Sequence, residues 1–247
     1  MSTLARLSSL SASFPAHNEE QNVVPMISDL LAALPEVADR FEVIVVDDGS
    51  GDATYERAAE IAARDARVRV VRHEVNRGYG AAVWSGLQAG AMDYAFFTDG
   101  DRQFDVRQIR TLLPWIAQYD VVVGYRLNRQ DNLLRIANAH AWNWLIRLLL
   151  HVPVRDVDCA FKLFRRRALA GIEPEAQGAM FSAELLARIV ARGARIKEVP
   201  VNHLPRQVGT SSGGNPRVIA RAFYELFRLY RKLATEEVKR PRPQPIL

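Results

Sequence analysis

The sequence has 247 residues, 49% hydrophobic and 25% charged, which is the composition of a soluble globular protein with a sizeable core. The single cysteine, Cys159, excludes an intramolecular disulfide and fits a reducing compartment. We expect neither a signal peptide at residues 1–10 nor a membrane-spanning helix. The net charge of +5 lies at the C-terminal end, because residues 217–242 contain eight Lys or Arg against three Glu.

The first half of the chain alternates between predicted strands and helices. Short apolar segments predict strands at residues 7–14, 41–46, 68–72, 94–98 and 120–124. The segments between them predict helices that end near residues 34, 64, 91 and 118, the first of them capped by Asn18. This alternation predicts an α/β fold with a mostly parallel sheet and helices on both faces.

The second half has longer helical patterns. It predicts a helix at residues 133–151, a strand at 156–164, a short helix at 165–171, a helix at 181–192 and a strand at 194–201. The Gly- and Ser-rich residues 204–216 predict a mobile loop, and Pro216 starts a final amphipathic helix with Arg and Lys on one face. We expect residues 1–235 to form one domain and the basic, Pro-rich residues 236–247 to be disordered.

Polar clusters follow the predicted strands of the first half, at residues 15–20, 47–52, 76–80 and 99–105. In parallel α/β sheets, ligands bind beyond the carboxyl ends of the strands, so these clusters predict one shared site rather than separate solvated turns. Two carboxylates one residue apart, Asp99 and Asp101, can converge on one divalent cation that holds a diphosphate. Asp105 is expected to cap the next helix. Neither a dinucleotide-binding Gly-x-Gly-x-x-Gly after the first strand nor a P-loop is present.

Four motifs occur in a fixed order along the chain: Phe14–Glu20, Val46–Ser50, Asn76–Ala82 and Thr98–Asp105. Together they resemble the inverting family 2 glycosyltransferases of the GT-A fold. Residues 156–166 and 205–211 are similar to later motifs of the dolichol-phosphate mannosyltransferase-like branch, which makes polyprenyl-phosphate sugars. The resemblance covers roughly residues 8–230. It implies that residues 1–125 bind the nucleotide-sugar and that residues 126–235 bind the acceptor.

The resemblance also implies roles for individual residues. Asp101 would hold Mg²⁺ or Mn²⁺ with Asp99 and Gln103, and the cation would stabilise the departing nucleoside diphosphate. The residues implied to contact the nucleotide-sugar are Pro15, Ala16, Asn18, Glu19, Asp47, Asp48, Gly78, Asp99 and Gly100. Besides Asp101, the residues implied in catalysis are Arg126 and Arg206, of which Arg206 would close over the diphosphate.

The nature of the acceptor decides whether a base is required. A polyprenyl phosphate is already an oxyanion and can attack directly, held by Arg126 and Arg135, whereas a hydroxyl acceptor needs a carboxylate to take its proton. Glu184 fits a family position near the acceptor, and an acidic residue on the surface of a helix is the alternative interpretation. The function expected is transfer of a hexose, of mannose or glucose type, from a nucleotide-diphosphate sugar to polyprenyl phosphate.

Two alternatives remain open: a transferase of the same fold that acts on a sugar or small-molecule hydroxyl, and a non-catalytic module whose basic C-terminus binds membranes or nucleic acid. The expected partners are the nucleotide-sugar, the lipid phosphate and a membrane surface, without nucleic acid. The helix that carries Trp142 and Trp144 and the basic final helix could both lie at a membrane interface, or could combine core packing with a solvated face. We expect a protein on the cytoplasmic face of the membrane.

Overall fold

The computed structural model describes residues 6–127, 133–178, 180–205 and 216–239. The strands are β1 (Leu7–Ala16), β2 (Ala38–Asp48), β3 (Val68–His73), β4 (Tyr94–Thr98), β5 (Val121–Leu127), β6 (Phe161–Arg165) and β7 (Ile196–Asn202). The α-helices are α1 (Val23–Ala33), α2 (Thr54–Ala62), α3 (Tyr79–Ala89), α4 (Leu113–Ile116), α5 (Leu133–Leu150), α6 (Arg166–Leu169), α7 (Phe181–Val190) and α8 (Pro216–Lys239). Leu34–Glu36 and Val106–Thr111 are 3₁₀ helices.

The described strands form one sheet in the order β3-β2-β1-β4-β6-β5-β7. β6 is antiparallel to both of its neighbours, and all other neighbouring strands are parallel. The predicted mostly parallel sheet is therefore confirmed. The carboxyl ends of β1, β2, β4 and β5 lie at one edge of the sheet, which is called the active edge below.

Helices cover both faces of the sheet, and β2 carries apolar side chains on both of its sides. Ile44 and Val46 pack with Ala82 of α3 on one face. Val43 and Val45 belong to the main core on the other face, to which α1 contributes its buried side chains. Successive residues of a strand point to opposite faces, so a continuous apolar run is what a doubly covered strand requires.

Some predicted boundaries are wrong for local reasons. The segment 106–118 is not one helix: it is a 3₁₀ helix followed by the short α4, with Pro114 in the first turn of α4. Pro114 has no backbone N–H, so it cannot donate the hydrogen bond to residue 110 that a continuous α-helix would need. The strand predicted at 156–164 is confined to β6, and α8 extends four residues into the predicted tail. Residues 240–247 and most of the predicted mobile loop, 206–215, lie outside the described residues.

Two predicted helix caps have opposite outcomes. Asp105 does cap the helix that follows it, because its side chain accepts a hydrogen bond of 3.0 Å from the backbone nitrogen of Arg107. Asn18 does not cap α1, whose N-cap residue is Asn22. Among the residues that the structure describes, no helix has both the length and the apolar character needed to cross a bilayer.

Candidate active site

The turn after β4 is pressed against the end of β1. A Cβ atom on Gly100 would lie 2.7 Å from the carbonyl oxygen of Pro15, so this close approach requires glycine. Asp101 closes the turn, because its Oδ1 accepts a hydrogen bond of 3.0 Å from the backbone nitrogen of Gln103. The turn therefore presents Asp99 and Asp101 at the active edge, beside Pro15.

Arg102 fixes this turn to α1 at a conformational cost. Its φ of 59° lies in the left-handed region, which costs a non-glycine residue about 1–2 kcal/mol. The guanidinium donates a hydrogen bond of 3.0 Å to Asp29 of α1. Backbone strain of this kind is typical of functional turns that the surrounding structure holds in place.

Asp99 is half-buried and accepts a hydrogen bond of 2.9 Å from the hydroxyl of Tyr79. Burial, together with the nearby charge of Asp101, raises the pKa of Asp99 to about 7. The Tyr79 hydrogen bond acts in the opposite direction, because it stabilises the carboxylate. Tyr79 begins α3, and sequence reasoning assigned it no role although it lies within the third motif.

The residues of this turn fit a divalent cation. Asp99 and Asp101 are carboxylates close enough for the charge of one to disfavour ionisation of the other, and a cation between them would remove that repulsion. Among the described residues, no group of three His, Cys, Asp or Glu side chains could hold a metal ion. Mg²⁺ at phosphate-transfer sites is bound by one or two carboxylates plus substrate phosphates, and Mn²⁺ also prefers oxygen ligands. A cation with Asp99 and Asp101 as protein ligands is consistent with both observations.

Asp48 organises the loop between β3 and α3. Its Oδ1 and Oδ2 accept hydrogen bonds of 2.9 Å from the backbone nitrogens of Arg77 and Gly78, respectively. Its Oδ1 is also 2.6 Å from the Nδ1 atom of His73, which lies at the end of β3. Asp48 is only 3% exposed, so these contacts supply most of its hydrogen bonding. Its predicted contact with the nucleotide stays a prediction, and the structure adds a role in shaping the neighbouring loop.

The loops after β1 and β2 are cross-linked, which brings the predicted nucleotide-binding residues together. The side-chain oxygen of Asn18 accepts a hydrogen bond of 2.9 Å from the backbone nitrogen of Gly51, and the backbone nitrogen of Asn18 donates one of 3.0 Å to Ser50 Oγ. This bonding, with a φ of 55°, explains why Asn18 does not cap α1. The carboxylate of Glu19 accepts a hydrogen bond of 2.6 Å from the side chain of Asn22.

The paired ends of β1 and β2 place Pro15 and Ala16 opposite Val46 and Asp47. Asp47 is completely buried, and its Oδ1 accepts a hydrogen bond of 3.3 Å from the nitrogen of Ser50. Its Oδ2 lies 3.7 Å from Arg72 Nε and has no hydrogen-bond partner among the described residues. Asp47 thus supports the loop from inside the fold, and its predicted contact with the nucleotide-sugar stays a prediction.

Gly78 is required where α3 begins. Its φ is 96°, and a Cβ atom there would lie 2.7 Å from the carbonyl oxygen of Gln177. That oxygen accepts a hydrogen bond of 2.7 Å from the nitrogen of Gly80. The segment before α7 therefore packs directly on the third motif.

Glu184 supports this segment from α7. It is 2% exposed and accepts hydrogen bonds from the backbone nitrogens of Glu175, at 3.0 Å, and Ala176, at 2.7 Å. An ion pair of 2.8 Å with Arg188 balances its charge. The interpretation of Glu184 as a helix-surface acid is wrong, because the carboxylate satisfies backbone nitrogens inside the fold.

Arg126 lies at the end of β5 and forms a two-pronged ion pair with Asp156. Its Nε and Nη2 atoms donate hydrogen bonds of 2.8 and 2.7 Å to the two carboxylate oxygens. The side chains are only 17% and 9% exposed, and the pairing raises the pKa of Arg126 despite its burial. A guanidinium has five N–H donors, so this arrangement orients Arg126 and still leaves donors for a phosphate.

Lys162 is a fully buried side chain of β6, paired with Phe97 near the end of β4. Its Nζ donates hydrogen bonds to the carbonyl oxygen of Cys159 and, at 3.4 Å, to Ser182 Oγ, and it lies 5.0 Å from the ring centre of Phe97. Burial lowers the pKa of Lys162, while neighbouring acids that include Asp99 oppose this shift. Sequence reasoning assigned no role to Lys162 or Asp156, although both lie in the later motif.

The acidic turn also contacts the segment after β7. Gln103 donates a side-chain hydrogen bond of 3.1 Å to the carbonyl oxygen of Leu204, and its own carbonyl accepts one of 2.7 Å from the nitrogen of Leu204. Of the Gln103 side-chain atoms, only Oε1 is suited to a cation. Leu204 is two residues before Arg206, which lies outside the described residues. Arg135 belongs to α5, and its side chain is also outside the described part.

Comparison with known proteins gives a family. A sequence model described as Glycosyl transferase family 2 matches residues 11–172. Dodecaprenyl-phosphate galacturonate synthase from Rhizobium johnstonii is 32% identical over 212 residues, covering 84% of this chain and 62% of that protein. Undecaprenyl-phosphate 4-deoxy-4-formamido-L-arabinose transferase from Pectobacterium carotovorum is 32% identical over 208 residues, with coverages of 83% and 62%. The chain thus spans about three fifths of the length of these relatives.

The fold is shared with solved glycosyltransferases. Glucosyl-3-phosphoglycerate synthase from Mycobacterium tuberculosis, in complex with Mn²⁺, UDP-glucose and phosphoglyceric acid, superposes with a TM-score of 0.64. The two sequences are 19% identical, and the match covers 91% of this chain and 80% of that one, so it shows the fold alone. Both named relatives are polyprenyl-phosphate sugar transferases, which agrees with the order of the sequence motifs. The chain belongs to glycosyl transferase family 2 and has the GT-A fold.

Proposed function

We propose that the protein transfers a hexose from a nucleotide-diphosphate sugar to polyprenyl phosphate, with inversion at the anomeric carbon. The observation that carries this proposal is the position of two carboxylates, Asp99 and Asp101, at the same sheet edge as the oriented guanidinium of Arg126. Carboxylates with a cation suit a donor diphosphate, and a guanidinium suits an acceptor phosphate. The names of the two relatives support the lipid acceptor.

In the proposed reaction, an oxygen of the acceptor phosphate attacks the anomeric carbon of the sugar. The bond between that carbon and the donor diphosphate breaks, and its electron pair leaves with the nucleoside diphosphate. No proton has to be removed from the acceptor, because it is already an anion. Arg126 would hold the acceptor phosphate, with Arg135 as a further candidate, while Asp156 keeps the Arg126 guanidinium in its orientation. Arg206 would close over the donor diphosphate.

The donor would be held by the loops at the active edge. The cross-linked loops after β1 and β2 and the loop that Asp48 shapes would enclose the nucleotide. Mg²⁺ or Mn²⁺ bound by Asp101 and Asp99 would neutralise the charge that develops on the leaving diphosphate. The Mn²⁺ reported in the structure of the Mycobacterium tuberculosis enzyme supports this choice of cation. The acceptor would place the protein on the cytoplasmic face of a membrane.

The test is a donor screen with the full chain. Purine and pyrimidine nucleotide-sugars would be incubated with Mn²⁺, with and without a short, water-soluble polyprenyl phosphate, and both the released nucleoside diphosphate and the glycolipid would be measured. We expect turnover that depends on the lipid phosphate. Turnover stimulated only by a sugar or small-molecule hydroxyl would reject the lipid acceptor and favour the alternative transferase activity.

The role of the acidic turn is tested with a matched pair of substitutions. Asp101→Asn should abolish nearly all transfer and leave the melting temperature close to that of the wild type. Asp105→Asn is the control, because Asp105 caps the following helix and asparagine also caps helices well. Full activity of the Asp101→Asn protein would reject the assignment of Asp101.

A further inference from the structure

His73, the last residue of β3, is a buried polar side chain to which the proposed reaction gives no role. It is 6% exposed. Its Nδ1 atom lies 2.6 Å from Asp48 Oδ1, and its Nε2 atom lies 3.0 Å from the hydroxyl oxygen of Ser85. The imidazole ring therefore joins the carboxylate at the end of β2 to the middle of α3.

The direction of the two hydrogen bonds of His73 follows from the chemistry of its partners. Both oxygens of Asp48 already accept hydrogen bonds from backbone nitrogens, so the group acts as an acceptor and Nδ1 of His73 carries the proton between them. The Ser85 hydroxyl can donate or accept, so it satisfies Nε2 whether or not that nitrogen is protonated. Ser85 thus keeps the ring in the orientation that directs Nδ1 at Asp48.

Contacts in the order Asp48, His73 and Ser85 also occur in hydrolase triads, but the position of Ser85 does not support that role. A serine nucleophile needs backbone N–H groups beside it that stabilise the oxyanion. Ser85 lies inside α3, where the backbone N–H groups are bonded to carbonyl oxygens one turn earlier. The serine therefore acts as a hydrogen-bond partner of the ring.

The orientation of the Asp48 carboxylate determines the shape of the loop that leads from β3 into α3. One carboxylate oxygen accepts from the nitrogen of Arg77 and the other from that of Gly78, so a rotated carboxylate could not accept both bonds in the same geometry. Asp48 is 3% exposed, so water has little access to replace the hydrogen bond from His73. His73 is thus the side chain that fixes this carboxylate from behind.

The same loop is connected to the acidic turn. Tyr79 directly follows Gly78, and its hydroxyl donates a hydrogen bond of 2.9 Å to Asp99, a proposed ligand of the cation. A loop displaced at Gly78 would also displace Tyr79. The contact between His73 and Asp48 therefore bears on two parts of the proposed donor site, the loop at Gly78 and the carboxylate of Asp99.

We propose that His73 is a positioning residue for the nucleotide-sugar, because it fixes the Asp48 carboxylate and, through it, the loop that carries Gly78 and Tyr79. This inference rests on the proposed function, since the donor is a nucleotide-sugar. His73 acts through Asp48 and not on the reacting atoms. Its loss should therefore weaken donor binding and leave acceptor binding unchanged.

Two substitutions separate the Nδ1 contact from the rest of the side chain. In His73→Asn, the amide nitrogen is bonded to Cγ, as Nδ1 is, so it can still donate to Asp48. In His73→Gln, the amide is one bond further out, at the position of Nε2 and on the Ser85 side. Both variants lose the ring, so a difference between them reports the hydrogen bond to Asp48 and not the lost packing.

Steady-state kinetics of the full chain provide the first test, with a short, water-soluble polyprenyl phosphate as the acceptor. The donor KM should rise about tenfold in His73→Gln, as expected when a hydrogen bond to a buried carboxylate is lost, and less than about twofold in His73→Asn. The acceptor KM should stay within about twofold of the wild type in both variants. A donor KM that rises equally in the two variants, or together with the acceptor KM, would overturn the proposal.

Hydrogen exchange of residues 74–80, followed by mass spectrometry, tests the loop without any substrate. This segment should exchange about tenfold faster in His73→Gln than in the wild type, whereas His73→Asn should resemble the wild type. Equal exchange in all three proteins would overturn the positioning role. Failure of the wild type to release a nucleoside diphosphate from any nucleotide-sugar would instead reject the proposed function, and the exchange result would still decide whether His73 holds the loop.

Discussion

Replacing Asp156 with asparagine tests whether this residue positions Arg126. The substitution keeps the size of the side chain but removes the charge and one of the two oxygens that accept from the guanidinium. The pair is mostly buried, with side-chain exposures of 17% and 9%, so solvent screens it little. Removing one partner of a buried ion pair costs about 3–5 kcal/mol, and asparagine retains one acceptor, which gives roughly 2 kcal/mol.

Two assays follow from this magnitude. The melting temperature should fall by about 4–8 °C, given about 2–4 °C per kcal/mol for a chain of this size. The KM for polyprenyl phosphate should rise about tenfold because the guanidinium is no longer held, while the KM for the nucleotide-sugar should change less than about twofold. An unchanged acceptor KM together with the expected loss of stability would refute the positioning role. Asp120→Asn is the control: Asp120 pairs with Arg167 at 2.8 Å but precedes β5, at the opposite edge of the sheet.

Three further predictions concern other parts of the domain. Tyr79→Phe removes the hydroxyl that Asp99 accepts from, so donor KM should rise several-fold in steady-state kinetics, with a change in unfolding free energy below about 1 kcal/mol. Burial raises the pKa of the Cys159 thiol to about 12, so a thiol reagent at pH 8 should react only after denaturation; rapid reaction of the folded protein would contradict this. Burial alone would raise the pKa of Glu42, but the hydrogen bonds that its carboxylate accepts outweigh burial, the largest contribution coming from the Ala91 nitrogen. The net result is a pKa below the ordinary value. Because the pKa is lower in the folded protein, ionised Glu42 stabilises the fold at pH values above its unfolded pKa, near 4.5. This contribution to the unfolding free energy is lost as the pH falls through the folded pKa. The difference in unfolding free energy between wild type and Glu42→Gln should therefore be largest at neutral pH and shrink in acid.

Local pattern determined the class of fold and the edge at which the site lies. Apolar runs such as residues 41–46 are readable as strands because a doubly covered strand needs apolar side chains on both faces. Because neighbouring parallel strands have their carboxyl ends at the same edge of the sheet, the loops that follow them lie close together. The motifs around Pro15, Asp48 and Asp99 could therefore be assigned to one predicted site from the sequence. The cap at Asp105 was predictable because its partner, Arg107, is two residues away.

The tertiary structure decided which side chains pair within the site. Tyr79 and Asp99 are 20 residues apart, Arg126 and Asp156 are 30 apart, and Gln103 and Leu204 are 101 apart. Pairs this distant depend on which strands are neighbours, and the antiparallel β6 inserted between β4 and β5 leaves no mark in local periodicity. Asn18 illustrates the same limit. Asparagine at this position is suited to capping α1, but the fold places the backbone nitrogen of Gly51 beside it, and the Asn18 side chain accepts a hydrogen bond from that nitrogen instead.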